Sequence, residues 1–371
     1  MEKRHIAFYI GSLSKGGSER VFVNLAEYFQ SEGYDVTFVT QYQKENEYEY
    51  SPGIRRILSD IKEDETTKNR FVNFLRRFRK LRSIWKKVNP DIILSCIGKN
   101  NFMAVATSTG LNTKAVVSVV GEPSEEYPTR LLRYLAYLLF ARADGMVVKT
   151  SDALQFFPRK LRKKAIVMKN SINPTFLREP FTGIREKTIV SVGRLDANKN
   201  QSLLIEAFSK IAMKYPEYKV LLYGEGEDRT KLEGIIRDMH LSDRIVLSGI
   251  IQDVAEKIHK AGIFVLTSNT EGMPNALIEA MALGIPCIST DCPCGGPKDL
   301  IRQKENGILI PVNDKKALQE ALCYLLDNPE LAIEMGRRAT TIQKELNPGV
   351  INQAWKTYFE TVIEKEKKSK K

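Results

Sequence analysis

The stretch Thr270-Glu271-Gly272-Met273-Pro274-Asn275-Ala276-Leu277-Ile278-Glu279-Ala280-Met281-Ala282-Leu283-Gly284 reads as a loop running into a short apolar helix. Pro274 suits the first helical turn, where its missing N–H costs nothing, and Gly284 suits the helix end. Glu271 then falls in the loop before the helix and Glu279 more than one turn inside it. Free backbone N–H groups near Met273–Ala276, from Met273, Asn275 and Ala276 beside Gly272 and Pro274, would face a phosphate or a sugar hydroxyl. A buried carboxylate there needs hydroxyl or cationic partners. Strand-like runs flank the segment at Ile263–Leu266 and Ile285–Ser289.

Outward from this unit the same alternation repeats. Strands are expected at Thr188–Val192, Lys219–Tyr223 and Ile245–Leu247, with helices at Gln201–Lys214, Asp228–Met239, Asp253–Lys260 and Pro274–Leu283. Nearer the amino terminus, strands fall at Ile6–Ile10, Asp35–Thr40, Ile92–Cys96, Ala115–Val120 and Gly145–Lys149. Helical spacing there covers Ser18–Ser31, Asn69–Val88 and Thr129–Ala141. Strand–helix alternation of this kind gives parallel sheets covered on both faces. The fold class is therefore α/β, with two doubly wound Rossmann-like domains facing a central cleft. Pro174, Pro180 and Gly183 cluster with charged residues in Pro174–Lys187, which puts the domains at 1–181 and 182–347. Residues 348–371 form a further helix, expected to return to the first domain, and a Lys-rich tail from Lys365 expected to be disordered.

Ligands of such domains sit at the carboxyl ends of the strands. After the second domain's first strand comes Ser191-Val192-Gly193-Arg194-Leu195-Asp196-Ala197-Asn198-Lys199-Asn200. Its two cations suit a diphosphate, Arg offering two parallel donors where Lys offers a point charge. Two glycine loops accompany it. Gly11 to Glu19 nearly spells a P-loop, but Gly17 occupies the lysine position, which argues against a nucleoside triphosphatase. Gly16 and Gly17 remain as glycines at a helix start, where backbone can approach an anion. Gly224-Glu225-Gly226 follows a strand, yet Arg229 replaces the third glycine of a dinucleotide fingerprint.

Composition narrows the class. The 371 residues are 43% hydrophobic and 27% charged, a soluble globular balance. Lys and Arg number 57 against 45 acids, a net +12 that suits an anionic partner. Cys96, Cys287 and Cys323 read as small core residues, and Cys292 and Cys294 have none of the three histidines near them, so no zinc site is expected. Met1 to His5 lead straight into a strand, and no run approaches 18 apolar residues. A cytoplasmic protein, peripheral on the inner face of the cell membrane, is the expectation.

Four motifs in order resemble the GT-B glycosyltransferases, specifically the retaining family 4 group that builds bacterial surface glycans. They are Gly16-Gly17-x-Glu19-Arg20, Gly193-Arg194-Leu195-x3-Lys199-Asn200, Gly224-x-Gly226, and the pair Glu271 and Glu279 with seven residues between. The resemblance covers nearly the whole chain. It implies that Arg194 and Lys199 hold the diphosphate of a sugar nucleotide, that Glu279 takes the ribose hydroxyls, and that Glu271 with the following amides holds the donor sugar. It further implies transfer of a hexose or N-acetylhexosamine from a UDP-linked donor to a lipid-linked oligosaccharide. Many relatives carry a histidine in the first domain, but the matching window here is Val119-Val120-Gly121-Glu122-Pro123, which leaves Glu122 as the candidate replacement. No Asp-x-Asp occurs, so neither a metal nor another cofactor is expected, and fixed cations would stabilise the leaving phosphate. The alternatives are a sugar-nucleotide epimerase or hydrolase of the same architecture, and a non-catalytic membrane-associated sensor.

Between Thr67 and Pro90 stand nine Lys or Arg residues and no acid, interleaved with Phe71, Phe74, Leu75, Phe78, Leu81, Trp85 and Val88 at helical spacing. A basic amphipathic helix with large aromatics reads as a membrane-surface element, whereas nucleic acid is not expected, since no aromatic ribonucleoprotein motif accompanies the charge. The plain alternative is a domain helix whose apolar stripe meets the sheet.

Overall fold

The computed structural model describes residues 3–61 and 66–369. It divides into two compact units. One runs to Lys169 and resumes at Ile351, and the other comprises Asn170–Val350. The first unit contains β1 (His5–Ile10), α1 (Gly17–Ser31), β2 (Asp35–Thr40), β3 (Arg55–Leu58), α2 (Arg70–Val88), β4 (Ile92–Cys96) and α3 (Lys99–Ser108). It continues with β5 (Lys114–Val119), α4 (Pro123–Glu126), α5 (Arg130–Arg142), β6 (Gly145–Val148), α6 (Ser151–Phe156), α7 (Arg159–Arg162) and β7 (Ala165–Val167). The second unit contains β8 (Thr188–Val192), α8 (Gln201–Ser209), β9 (Lys219–Tyr223), α9 (Arg229–Asp238), β10 (Ile245–Gly249), α10 (Val254–Ile258), β11 (Ile263–Leu266) and α11 (Asn275–Ala282). Then follow β12 (Cys287–Thr290), β13 (Ile308–Ile310), α12 (Lys315–Asp327), α13 (Pro329–Ala339), α14 (Ile342–Glu345) and α15 (Pro348–Ser369), the last crossing back into the first unit.

Among the described residues the first sheet has order β3-β2-β1-β4-β5-β6-β7 and the second β10-β9-β8-β11-β12-β13, with every pairing parallel. The chain reverses direction across each sheet between its first and fourth strands, β1/β4 and β8/β11. Loops leaving those strands diverge and open a crevice, the usual ligand position of a doubly wound fold. Central strands such as β4 and β11 are buried along their whole length, so they read as near-continuous apolar runs rather than alternating ones. The edge strands β3, β7 and β13 escape the sequence pattern because they are three or four residues long and only partly buried.

The unit boundary falls at Lys169/Asn170, ahead of the 181/182 division expected from the Pro–Gly cluster. Irregular backbone is not unpacked backbone. The Ile172 N–H donates to Leu346 O at 2.9 Å, Gln343 Nε2 donates to Arg178 O at 2.9 Å, and Phe176 is buried. In the first unit, α15 buries Ile351, Trp355, Phe359 and Val362 along one stripe. Phe359 stacks on Phe29 at 5.2 Å, and Tyr358 Oη donates to Met146 O at 3.2 Å. Its backbone helix continues to Ser369, past the Lys365 start expected for a disordered tail, because Glu and Lys are good helix formers. Lys370 and Lys371, the end of that tail, lie outside the described residues.

Helix α2 matches the expected Asn69–Val88 span, with the Asn69 carboxamide capping the Phe71 and Val72 amides. Its two halves differ. Leu81, Trp85 and Val88 are buried, Trp85 lies edge-on to Tyr9 at 5.8 Å, and its Nε1 donates to Thr107 Oγ1 at 2.8 Å. Phe71 and Phe74 are 67% and 48% exposed.

Candidate functional site

The expected donor-site residues of the second unit gather at the β8/β11 switch point. After β8, Asp196 fixes the loop by accepting the Lys199 N–H at 2.9 Å and pairing with the Arg194 guanidinium at 2.8 Å. Gln201 Nε2 donates to Arg194 O at 2.6 Å. The Arg194 side chain is 76% exposed, so its second face is open to a ligand. Lys199 turns inward and its Nζ pairs with Glu271 Oε1, which also accepts from Ser268 Oγ at 2.7 Å. Both side chains are largely buried, and one hydroxyl and one ammonium meet the partner requirement of the Glu271 carboxylate.

Polar bonds lock the two loops into one platform. Asn198 Oδ1 accepts the Thr270 N–H at 3.0 Å, Asn198 Nδ2 donates to Thr270 O at 3.1 Å, and Thr267 Oγ1 donates to Lys199 O at 2.9 Å. A third segment, Cys292–Gly296, braces Glu271 from behind. The Glu271 N–H donates to Pro293 O at 2.7 Å, and the Cys294 N–H donates to Glu271 O at 3.1 Å. A Cβ on Gly296 would fall on the Gly272 carbonyl oxygen, so only glycine allows that approach. This support was missed in sequence, although Gly295-Gly296-Pro297 after a strand signals a close backbone contact. Cys292 and Cys294 are buried and in no disulfide, and burial with the nearby Glu271 charge pushes the Cys292 thiol up to about 12. It is a packing thiol.

Pro274 stands at the N-cap of α11 rather than in its first turn, and it offers no side-chain cap to the amides behind it. Asn275 Oδ1 accepts from Asn170 Nδ2 at 3.0 Å. Met273, in the loop, and Glu279, within the helix, are both buried. Gly224 serves the platform from beneath. With φ 139° it packs so closely that a Cβ would land on the Gly193 carbonyl oxygen, and one on Gly226 would meet Leu195 O. The Gly193 N–H donates to Tyr223 O at 3.0 Å and the Leu195 N–H to Glu225 O at 3.0 Å, so this glycine loop sets the path of the Arg194 loop.

Gly16, Gly17 and Glu122 belong to the first unit. Gly16 is the N-cap of α1 and Gly17 its first residue, following β1 at the other switch point. Glu122 caps the single turn α4, its Oε1 accepting from the Ser124 N–H at 3.2 Å and Ser124 Oγ at 2.8 Å. The more deeply held carboxylate there is Glu126, which accepts the Val120, Gly121 and Gly98 amides at 2.9–3.0 Å. Burial raises its pKa even so, because desolvation outweighs the three donors. Close by in sequence order, Lys149 ends the apolar run of β6 and is 4% exposed. A charged residue directly after a buried strand was the signal for it.

Burial lowers Lys149 to about 8 from its ordinary 10.5, and its Nζ lies 5.4 Å from the Trp355 ring centre. Below pH 8 the native state holds a charge its surroundings oppose, and above pH 10.5 the amine is neutral folded or unfolded. The unfolded chain binds more protons between those limits, so this group makes stability rise with pH across that window. The full span is about 3 kcal/mol at ~1.4 kcal/mol per pKa unit. Lys149→Met is therefore expected to raise Tm at pH 7 and to lose most of that gain by pH 10. A gain of equal size at both pH values would assign it to packing instead.

Comparison with known proteins agrees with this fold. A model described as glycosyl transferases group 1 matches residues 178–341, and one described as glycosyltransferase family 4 matches residues 15–176. The chain is 27% identical over 360 residues to an uncharacterized glycosyltransferase of Haemophilus influenzae, covering 95% of this chain and 99% of the other. It is 24% identical over 355 residues to a Campylobacter jejuni enzyme, covering 94% and 96% of the two. That enzyme is named as the alpha-1,4-N-acetyl-D-galactosaminyltransferase of GalNAc-alpha-(1->4)-GalNAc-alpha-(1->3)-diNAcBac-PP-undecaprenol. The crystal structure of Anabaena HepE in complex with UDP superposes with TM-score 0.80 at 15% identity, over 96% of this chain and all of that one.

Proposed function

The chain belongs to the GT-B glycosyltransferases of the group 1 and family 4 type, and from that premise we propose that it is a retaining, metal-independent hexosyl- or N-acetylhexosaminyltransferase using a UDP-sugar. Its acceptor in this reading is a lipid-linked oligosaccharide of a surface-glycan pathway, as in the name of the Campylobacter relative. The observation that carries the reading is the meeting of Lys199 and Glu271 beside exposed Arg194, just ahead of α11.

In this reading the donor diphosphate lies across Arg194, Lys199 and the first amides of α11, with the sugar against Glu271 and the loop through Ala276. Lysine has three donor hydrogens, so Nζ can keep Glu271 while it reaches a phosphate oxygen. Glu271 thereby fixes the clamp and faces the sugar hydroxyls. As the glycosidic bond breaks, negative charge grows on the departing diphosphate, and the two cations together with the helix amides stabilise it without reorganising. Glu279, inside α11, takes the ribose hydroxyls in this reading. The absence of Asp-x-Asp from the chain supports a metal-independent clamp.

The test is transfer itself. Purified protein incubated with a panel of nucleotide sugars and a polyprenyl-diphosphate oligosaccharide is expected to release UDP and yield a product one sugar longer. EDTA is expected to leave the rate largely intact. UDP release equal with and without acceptor would make it a hydrolase. Loss of turnover in EDTA, restored by magnesium or manganese, would overturn the metal-free reading.

Membrane docking is part of the same proposal. No described helix is long and apolar enough to cross a bilayer. The exposed amino-terminal half of α2 combines Phe71 and Phe74 with cations, each worth about 1 kcal/mol near an anionic leaflet. Such contact with the inner face of the cell membrane would place a lipid-linked acceptor beside the first unit. Flotation with acidic vesicles is expected to fall as salt rises, and to be lost when Phe71 and Phe74 become Ser and Arg76 and Arg79 become Gln. Equal flotation of that variant would return α2 to the role of an ordinary domain helix.

A further inference from the structure

The first unit holds a cavity of about 420 Å³ that is distinct from the donor residues of the second unit. It has two chemically different ends. Phe74 of α2, Phe102 and Met103 of α3, and Leu132 of α5 form an apolar slot floored by Leu81. Toward the carboxyl ends of β2, β3 and β4 the lining turns polar, with Gln41, Ser59, Asp60 and Lys99, and Arg77 joins them from α2, between Phe74 and Leu81. Asp60 is already engaged, since Arg77 Nε donates to its Oδ1 at 2.5 Å and Lys80 donates to its backbone oxygen. Lys99, exposed at the start of α3, has no carboxylate partner within ion-pair distance among the described residues. The polar end thus keeps one uncompensated cation beside a neutralised pair.

The helices that line the cavity also carry exposed apolar side chains. Phe71 and Phe74 on α2 are joined by Leu131, Tyr134 and Leu138 on α5, which are 66%, 60% and 40% exposed. Two helices that line one cavity therefore both present exposed apolar side chains, and such grouped exposure marks an interaction surface. The nine cations of the α2 segment make that surface attractive to an anion. An apolar slot on helices with exposed apolar side chains, with a cation at the strand-end side, fits an anionic amphiphile rather than a free sugar.

We propose that this cavity binds the lipid part of the acceptor, with the first isoprene units in the Phe74–Phe102–Met103–Leu132 slot and the diphosphate at Lys99. This rests on the reading of the acceptor as lipid-linked. It assigns recognition of the carrier lipid to a preformed pocket, where docking on a leaflet alone would leave the lipid unread. The choice of a prenyl diphosphate over bulk phospholipid follows from the acceptor reading and from size. A cavity of about 420 Å³ suits the first units of one chain, while a phospholipid brings two.

Geranylgeranyl diphosphate is a soluble probe of this site, and saturating UDP removes the donor site from the measurement. Wild type is expected to bind the probe in the presence of UDP and to bind inorganic diphosphate at least tenfold more weakly. Met103→Trp, which fills the slot, is expected to weaken binding at least tenfold at unchanged UDP affinity. Lys99→Gln, at an exposed position that does not threaten folding, is expected to weaken the diphosphate about tenfold and geranylgeraniol hardly at all. No binding by wild type, displacement of the probe by UDP, or wild-type affinity in Lys99→Gln would overturn the proposal. Equal competition by dioctanoyl phosphatidylglycerol would do the same, by giving the pocket to bulk lipid. Probe binding by a protein that transfers no sugar would reject the transferase reading alone, whereas equal transfer to a lipid acceptor by wild type and Met103→Trp would reject the pocket alone.

Discussion

Lys199→Ala is expected to lower turnover at least tenfold, and up to about a hundredfold, because a charge-assisted contact to the leaving group contributes about 1.5–3 kcal/mol. The structure adds a second consequence. Lys199 neutralises a Glu271 carboxylate whose side chain is only 11% exposed, so its removal leaves that charge in place without its counterion. Tm is therefore expected to fall as well. The two effects separate in the double variant Lys199→Ala with Glu271→Gln. Removing the stranded charge is expected to recover most of the lost Tm, since Gln can still accept from Ser268, while turnover stays low. Full turnover in Lys199→Ala would remove the lysine from the donor site, whatever the Tm.

Gly224→Ala is expected to destabilise by about 3 kcal/mol. Its φ of 139° strains any side-chain-bearing residue, and the new Cβ would fall on the Gly193 carbonyl oxygen, which is backbone and cannot swing aside. For a unit of this size such a loss lowers Tm by about 6–12 °C. Donor affinity is expected to fall with it, because any relief moves the Gly193–Arg194 backbone. Gly234→Ala is the matched control. Gly234 lies inside α9 with open space at its Cβ, so Ala there is expected to stabilise by up to about 1 kcal/mol. A mild effect of Gly224→Ala, comparable to the control, would mean that the two loops are not in fixed register.

The sequence by itself determined the α/β class, the two parallel sheets and the residues that meet at the β8/β11 switch point. Buried parallel strands leave unbroken apolar runs, and residues of a switch-point loop follow their strand at once, so Arg194, Lys199 and Glu271 are legible as soon as β8 and β11 are. Short edge strands such as β3 left no such trace, because three or four half-buried residues carry no period. Only the tertiary structure decided which groups meet. The pairing of Lys199 with Glu271 joins residues 72 apart, and the bracing of Glu271 by Pro293 and Cys294 runs through backbone atoms, where Gly295-Gly296 signals a close contact without naming its partner. The same holds for Glu122 and Glu126. Both are loop carboxylates in the sequence, but one caps a turn in reach of solvent while the other draws three amides from the ends of β4 and β5. The two halves of α2 share one charge pattern, and packing alone separates buried Trp85 from exposed Phe71. Periodicity records that a residue can be buried; whether a neighbouring element arrives to bury it is a property of the assembled fold.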